Sequence, residues 1–308
     1  MRDTVLTACR FLKDDVLYGA LLYHYGIARH RALQGKAVRS QSHSYTCFYR
    51  SPAQLDALVG PVMTWLQARR PQGRLQIHVL ACSTGAEPYT VASVIARAYP
   101  GLDVRISASD HHAEQVERTI AAMYSASDVL RRPPPREFIA DTFERLGVWY
   151  RVRAALRDRV DPVQASLLDP GLAEQLGPAD VVFAQNVFCH LDPADVRAGF
   201  ANVLRLLKPR AALFVDGMNL DLRTELTARA GLSPLDFKIR EIHEYARSHV
   251  GDRWWNYYYG IEPYARWHPD RARRFATIFL QGGPVSTVAA TPWGSGPRDD
   301  AAPADPVR

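Results

Sequence analysis

The sequence has little sulfur chemistry to offer. Its four cysteines (Cys9, Cys47, Cys82 and Cys189) are scattered through 308 residues, with no CxxC pair and no histidine at metal-ligand spacing. That excludes a disulfide scaffold and the common zinc modules, and points to reduced, buried or free thiols. The His111-His112 pair lacks further ligands at a helical offset, so no metal is expected. No uninterrupted apolar run approaches the roughly 18 residues of a membrane-spanning helix. Nor does the N-terminus read as a secretory leader, because Lys13, Asp14 and Asp15 come too early. The expectation is a cytoplasmic protein with no membrane partner. Also missing are the RNP-like, zinc-finger and recognition-helix patterns of nucleic-acid binders, so no nucleic-acid partner is expected. The net charge of +6 draws on Arg131, Arg132, Arg136, Arg151, Arg153, Arg157 and Arg159. These suit an acidic substrate, an acidic protein surface or a merely solvated face.

What is present is an ordinary globular composition, 47% hydrophobic and 23% charged. From residue 74 short apolar runs alternate with helical periodicity. Strands are expected at 75–80, 103–107, 159–163, 181–184 and 212–215, with helices at 88–98, 113–123 and 194–207. That alternation predicts an α/β fold with a doubly wound, mostly parallel sheet. The helix near 194 is the best marked. Asp192 suits its N-cap, Pro193 its first position, and Val196, Phe200, Val203, Leu204 and Leu207 form one apolar stripe. Residues 1–43 read as a helical cap, and another helix starts near Pro52. Beyond residue 220 come helix candidates at 221–230 and 236–248. Two segments, RWWNYYYGIEPY and RRFATIFLQG, then read as a closing hairpin. The Pro-, Gly-, Ala- and Asp-rich stretch 282–308 reads as a disordered tail.

The chemistry begins at residues 81–90, ACSTGAEPYT, between an expected strand and an expected helix. A strand, a glycine turn and a helix open a nucleotide-binding unit, yet dinucleotide folds place three glycines here to admit a pyrophosphate. This loop has Gly85 alone, and it adds a carboxylate, Glu87. Asp110 ends the second strand, 25 residues after Gly85. An acid there accepts hydrogen bonds from a ribose diol. A ligand with a ribose, no phosphate and a positive charge fits both acids, and S-adenosylmethionine is such a molecule. The plainer reading of Glu87 is an acid favoured in a helix first turn by the macrodipole.

ACSTGAEPYT closely resembles the ACSTGEEPYS type of loop in CheR-type protein-glutamate methyltransferases. The likeness continues in order over about residues 43–220. YTCFYR at 45–50 resembles the family's TxFFR element, SASD its strand-two acid, and YRVRAALRDRVDPVQASLLDP its third-strand region. DVVFAQNVFCHLDP and LLKPRAALFVDG resemble its fourth-strand and fifth-strand segments. The resemblance implies a class I (Rossmann-like) methyltransferase domain over 44–281, with a seven-stranded sheet that ends in an antiparallel strand. Its cofactor would be S-adenosyl-L-methionine. Thr46 and Arg50 would reach the cofactor's methionine carboxylate, Glu87 its amino group and Asp110 its ribose. Cys82, Gly85 and Gln185 would also bind the cofactor, and Ser166 with Leu167 would lie beside the adenine. For Arg50 a surface ion pair is the alternative.

The chain also departs from the family. Gln185 stands where the family has an arginine and His190 where it has a tyrosine, with Asn186 between them. These three residues are the catalytic candidates. A histidine can take a proton near neutral pH, which a carboxylate acceptor does not require. His190 equally suits packing or capping at the helix near 194. Fewer residues precede SYTCFYR than the family's receptor-facing helical domain usually occupies, and no hairpin insertion of the kind used for receptor tethering is evident. Residues 221–272 read as an acceptor-side insertion. Its WWNYYY run would put Trp255, Tyr257 and Tyr259 on one face of a strand, either as core or as an aromatic pocket wall. These departures favour a small-molecule acceptor. The alternatives are a glutamate carboxylate on an acidic protein, a cyclase or lyase that releases methylthioadenosine, and a sensor that binds the cofactor without turnover.

Overall fold

The computed structural model describes residues 46–68, 73–248 and 264–282. The proposed cap, most of the tail and the WWNYYY run, with Trp255, Tyr257 and Tyr259, lie outside these. Among the described residues ten strands form: β1 (Leu75–Leu80), β2 (Val104–Asp110), β3 (Met123–Ser125), β4 (Phe143–Leu146), β5 (Trp149–Val152), β6 (Val160–Gln164), β7 (Ala179–Gln185), β8 (Leu207–Asp216), β9 (Ser233–Pro234) and β10 (Ile278–Gln281). Seven of them make one sheet in the order β6-β2-β1-β7-β8-β10-β9. The pairs from β6 through β8 are parallel, and β10 runs antiparallel to both β8 and β9.

Among the described residues twelve α-helices flank the sheets. Before β2 lie α1 (Pro52–Ala57), α2 (Met63–Gln67) and α3 (Ala86–Ala98). Then come α4 (Ala113–Ala121), α5 (Ala126–Leu130), α6 (Arg136–Thr142), α7 (Ala154–Arg157) and α8 (Leu172–Leu176). The last four are α9 (Pro193–Leu206), α10 (Leu220–Arg229), α11 (Ile239–Ser248) and α12 (Arg271–Phe275). The start of α9 follows its sequence signals, since the Asp192 carboxylate accepts from the backbone N–H groups of Ala194 and Asp195, each at 3.0 Å.

The central strands are continuous apolar runs because helices cover both faces of the sheet. Alternation divides each strand between two cores. Val181 and Phe183 join Ile77, Val79 and Phe214 in a layer under Tyr89, Val91 and Ile95 of α3. Val182 and Ala184 join Leu213 and Val215 under Val196, Phe200 and Val203 of α9. The strands run past their expected ends where the ladder continues through polar residues. In β2, Ser109 and Asp110 still pair with Val163 and Gln164.

Two expectations are corrected. The first concerns the absent hairpin insertion. Between α4 and β6 the chain forms a second, antiparallel three-stranded sheet in the order β3-β5-β4. Helix α4 stops at Ala121 because Ala122 turns left-handed, with φ of 50°, and residue 123 begins β3. The second concerns the closing hairpin. Residues 271–275 are helical, not extended; the Arg274 guanidinium reaches Asp221 at 2.8 Å and that of Arg273 reaches the Leu232 carbonyl at 2.7 Å. Strand β10 does form, but among the described residues it pairs with β8 and the two-residue β9. No helix among the described residues is long and apolar enough to cross a membrane.

Phe214 is fully buried and stacks on Phe183 with ring centroids 4.4 Å apart. Phe214→Ala is expected to destabilise the fold by about 3–5 kcal/mol, read from urea unfolding. A loss below about 1 kcal/mol would contradict this packing.

Candidate functional site

The loops that follow β1, β2, β6 and β7 emerge at one edge of the sheet, where the strand order reverses between β1 and β7. Open α/β sheets bind ligands at such a switch point. The segment before α1 folds over the same edge. Together these elements enclose a cavity of about 360 Å³, a size suited to one small ligand. Thr46, Arg50, Cys82, Glu87, Asp110, Ser166, Leu167, Gln185, Asn186 and His190 all line it. Ten candidate residues from five separate stretches of chain therefore meet around one space. Trp255, Tyr257 and Tyr259 lie outside the described residues.

Gly85 does not line the cavity. It is the N-cap of α3 with φ of 88°, and a Cβ there would lie 2.8 Å from Thr119 Cγ2 and 2.9 Å from Tyr124 Oη. Its glycine identity answers to protein packing and to a left-handed backbone. Ala81 and Ser83 are left-handed as well, with φ of 54° and 53°.

Asp110 is buried, and each carboxylate oxygen holds a different loop. Oδ2 accepts from the Ser83 N–H at 2.9 Å and Oδ1 from the His112 N–H at 3.0 Å. A carboxylate has about four acceptor positions, so two stay available to a ligand diol. Glu87 lies in the first turn of α3. Burial pushes its carboxyl up to about 7, against the lowering pull of the Arg50 guanidinium. The cavity can therefore compensate a ligand cation with a carboxylate held close to its own titration point.

Arg50 sits between two left-handed residues, Tyr49 with φ of 54° and Ser51 with φ of 50°. Such a backbone is costly for side-chain-bearing residues and persists only when its surroundings enforce it. The enforcing contacts are visible. The Tyr49 N–H donates to Thr90 Oγ1 at 3.1 Å, Phe48 is buried between the rings of Tyr124 and Phe143, and Arg50 Nη2 donates to Asn186 Oδ1 at 2.9 Å. Asn186 is itself left-handed, with φ of 54°, and its N–H donates to the Asp216 carbonyl at 2.9 Å. A Cβ at neighbouring Gly217 would approach Asn186 Cα to 2.7 Å.

His190 stands exposed at the end of a single 3-10 turn, Phe188–His190, and desolvation of its ring lowers its pKa. It is neutral at pH 7. The Cys82 and Cys189 thiols are pushed up to about 12 by burial. They stay protonated and are poor nucleophiles. Among the described residues no cluster of His, Cys, Asp and Glu could hold a metal ion.

Sequence reasoning missed some of the lining. Gln54 faces the cavity with its Nε2 bonded to Thr277 Oγ1 at 2.7 Å, a contact across 223 positions that no local pattern announces. His111 and His112 also line it, with ring centroids 3.6 Å apart. The available signal was their position directly after Asp110.

Comparison with known proteins agrees with this geometry. Residues 44–229 match the family described as CheR methyltransferase, SAM binding domain. Chemotaxis protein methyltransferase 2 of Vibrio cholerae is 27% identical over 174 residues, covering 55% of this chain and 60% of that protein. Chemotaxis protein methyltransferase of Escherichia coli is 29% identical over 186 residues, covering 58% and 61%. Probable biofilm formation methyltransferase WspC of Pseudomonas putida is 30% identical over 212 residues, covering 67% and 47%. The matched region thus spans about half to three-fifths of these relatives.

The raised carboxyl of Glu87 yields a signed expectation. The carboxylate form attracts a ligand ammonium, so affinity for S-adenosylhomocysteine should fall as pH drops through about 7. The fall approaches about tenfold per pH unit below that value. Calorimetric titration at several pH values should show this slope. Glu87→Gln should bind more weakly at pH 8 and lose the slope, and an unchanged slope would remove Glu87 from this role.

Proposed function

Because the chain belongs to the CheR methyltransferase family, we propose that it is an S-adenosylmethionine-dependent methyltransferase whose acceptor is a glutamate carboxylate on an acidic protein segment. The observation that carries this reading is the set of N–H donors gathered on an otherwise largely apolar cavity wall. Apart from Glu87, Asp110 and the Arg50 assigned to the cofactor carboxylate, its side chains include Gln54, Gln185, Asn186 and His190, neutral groups able to present N–H donors. Such groups suit an anionic oxygen. Arg131 and Arg132 lie near enough to bias the thiol of Cys47, beside Arg50, which places further positive charge at this side of the cavity. The relatives named as chemotaxis protein methyltransferases favour the same class of acceptor.

S-adenosylmethionine supplies an electrophilic methyl group on a sulfonium. The chain's part is binding and orientation. Glu87 would hold the ammonium, Asp110 the ribose, Thr46 and Arg50 the methionine carboxylate, and Ser166 with Leu167 the adenine. A carboxylate acceptor arrives already deprotonated, so alignment rather than a base is the main contribution. Neutral His190 then donates an N–H to the acceptor oxygen, with Gln185 and Asn186 beside it. The small-molecule acceptor expected from Gln185, His190 and the aromatic run has no support from the relatives.

Incubation with labelled cofactor and acidic receptor helices should yield base-labile methyl groups released as methanol. Label that resists base, or methylthioadenosine formed without acceptor, would sink this reading. His190→Gln, which keeps a donor but cannot act as a base, should stay within about tenfold of the parent rate. A loss beyond about a hundredfold would instead mark His190 as a proton acceptor and the acceptor as no carboxylate.

A further inference from the structure

The small antiparallel sheet stands beside the cofactor loop, and one of its side chains enters the loop's hydrogen bonding. Tyr124, in the middle of β3, is buried and donates its hydroxyl to the Thr84 carbonyl at 2.6 Å. Burial holds this phenol well above its ordinary pKa, so it stays a donor. The preceding carbonyl, that of Ser83, accepts from Thr119 Oγ1 at 3.1 Å. Two successive carbonyls of the loop are thus held from α4 and β3, while Asp110 holds the loop's Ser83 N–H. The same tyrosine ring meets Phe48 edge-on at 4.8 Å, and Phe48 meets Phe143 of β4 at 5.0 Å. Phe48 lies two residues before Arg50. One side chain of the small sheet therefore contacts both stretches that flank the ligand cavity, the Ser83–Gly85 turn and the Arg50 segment.

We propose that Tyr124 is a positioning residue for the cofactor, and that the small sheet is in this sense part of the cofactor site. The inference rests on the reading of the cavity as the S-adenosylmethionine site. The argument is geometric. Three of five residues in the 81–85 turn are left-handed, so the turn does not hold its shape by intrinsic preference. Glu87 and the first turn of α3 follow directly from it. Removing the tyrosine hydroxyl leaves the Thr84 carbonyl without that donor and gives the turn room to relax toward Tyr124. Relaxation there displaces Glu87, and through Phe48 the ring also supports Arg50.

The test is Tyr124→Phe, which keeps the ring and its packing on Phe48. Calorimetric titration with S-adenosylhomocysteine should show Kd raised about tenfold, the effect of one lost buried hydrogen bond. A purely structural role would lower the denaturation midpoint and leave Kd unmoved. Trp149→Ala, on the exposed part of β5, should leave Kd unchanged. Tyr124→Phe with Kd within about twofold of the parent would overturn the proposal. Should that variant fail to fold, Phe48→Leu carries the test, because it keeps the hydroxyl and removes the ring contact. A raised Kd supports the link and an unchanged one overturns it. Failure of the parent protein to bind S-adenosylhomocysteine would defeat the cofactor reading itself, an outcome distinct from any difference between variants.

Discussion

One buried carboxylate organises the edge of the sheet on which everything else depends. Asp110 ends β2, and its two oxygens fasten the loop after β1 and the loop after β2 through separate backbone N–H groups. A buried carboxylate is costly unless hydrogen bonds compensate it. Here the compensation comes from the loops that the site needs in fixed positions. The stabilisation of the charge and the shaping of the cavity are one arrangement, since Asp110 itself lines that cavity.

The large sheet was legible because its strands are apolar on both faces. β1 begins and ends where its apolar run does, and the stripe of α9 holds at Val196, Phe200 and Val203, while Leu207, expected in the stripe, instead opens β8 because the helix ends at Leu206. The small sheet was not legible for the opposite reason. β3, β4 and β5 have three or four residues each, and their outer positions carry exposed residues such as Leu146 and Trp149. Neither an apolar run nor a clean alternation of any length exists there to detect. The helix α12 was misread because its arginines find partners in Asp221 and Leu232, distant groups that override a β-rich local composition.

For the site, the acids at 87 and 110 could be read from the logic of charge and ribose recognition, and Arg50 from the likeness of its segment. The relations between them could not. That Arg50 bonds to Asn186, and that Asn186 adopts a left-handed backbone against Gly217, depend on the meeting of segments 136 residues apart. The weight given to His190 shows the same boundary. Its chemical type was plain, but the lowering of its pKa by partial desolvation follows from the fold around it. A neutral imidazole can donate an N–H or accept a proton, so the residue type alone fits either class of acceptor.

Gly85 carries a final consequence. A Cβ at that position would meet Thr119 and Tyr124 before it met anything in the cavity. The loop's single glycine is therefore a record of α4 and the small sheet pressed against it. In descendants of this architecture, drift at residue 85 should follow drift at 119 and 124, whatever happens to the ligand. Loss of the small sheet alone would not free the glycine to vary, because Thr119 of α4 and the left-handed backbone would still exclude a side chain.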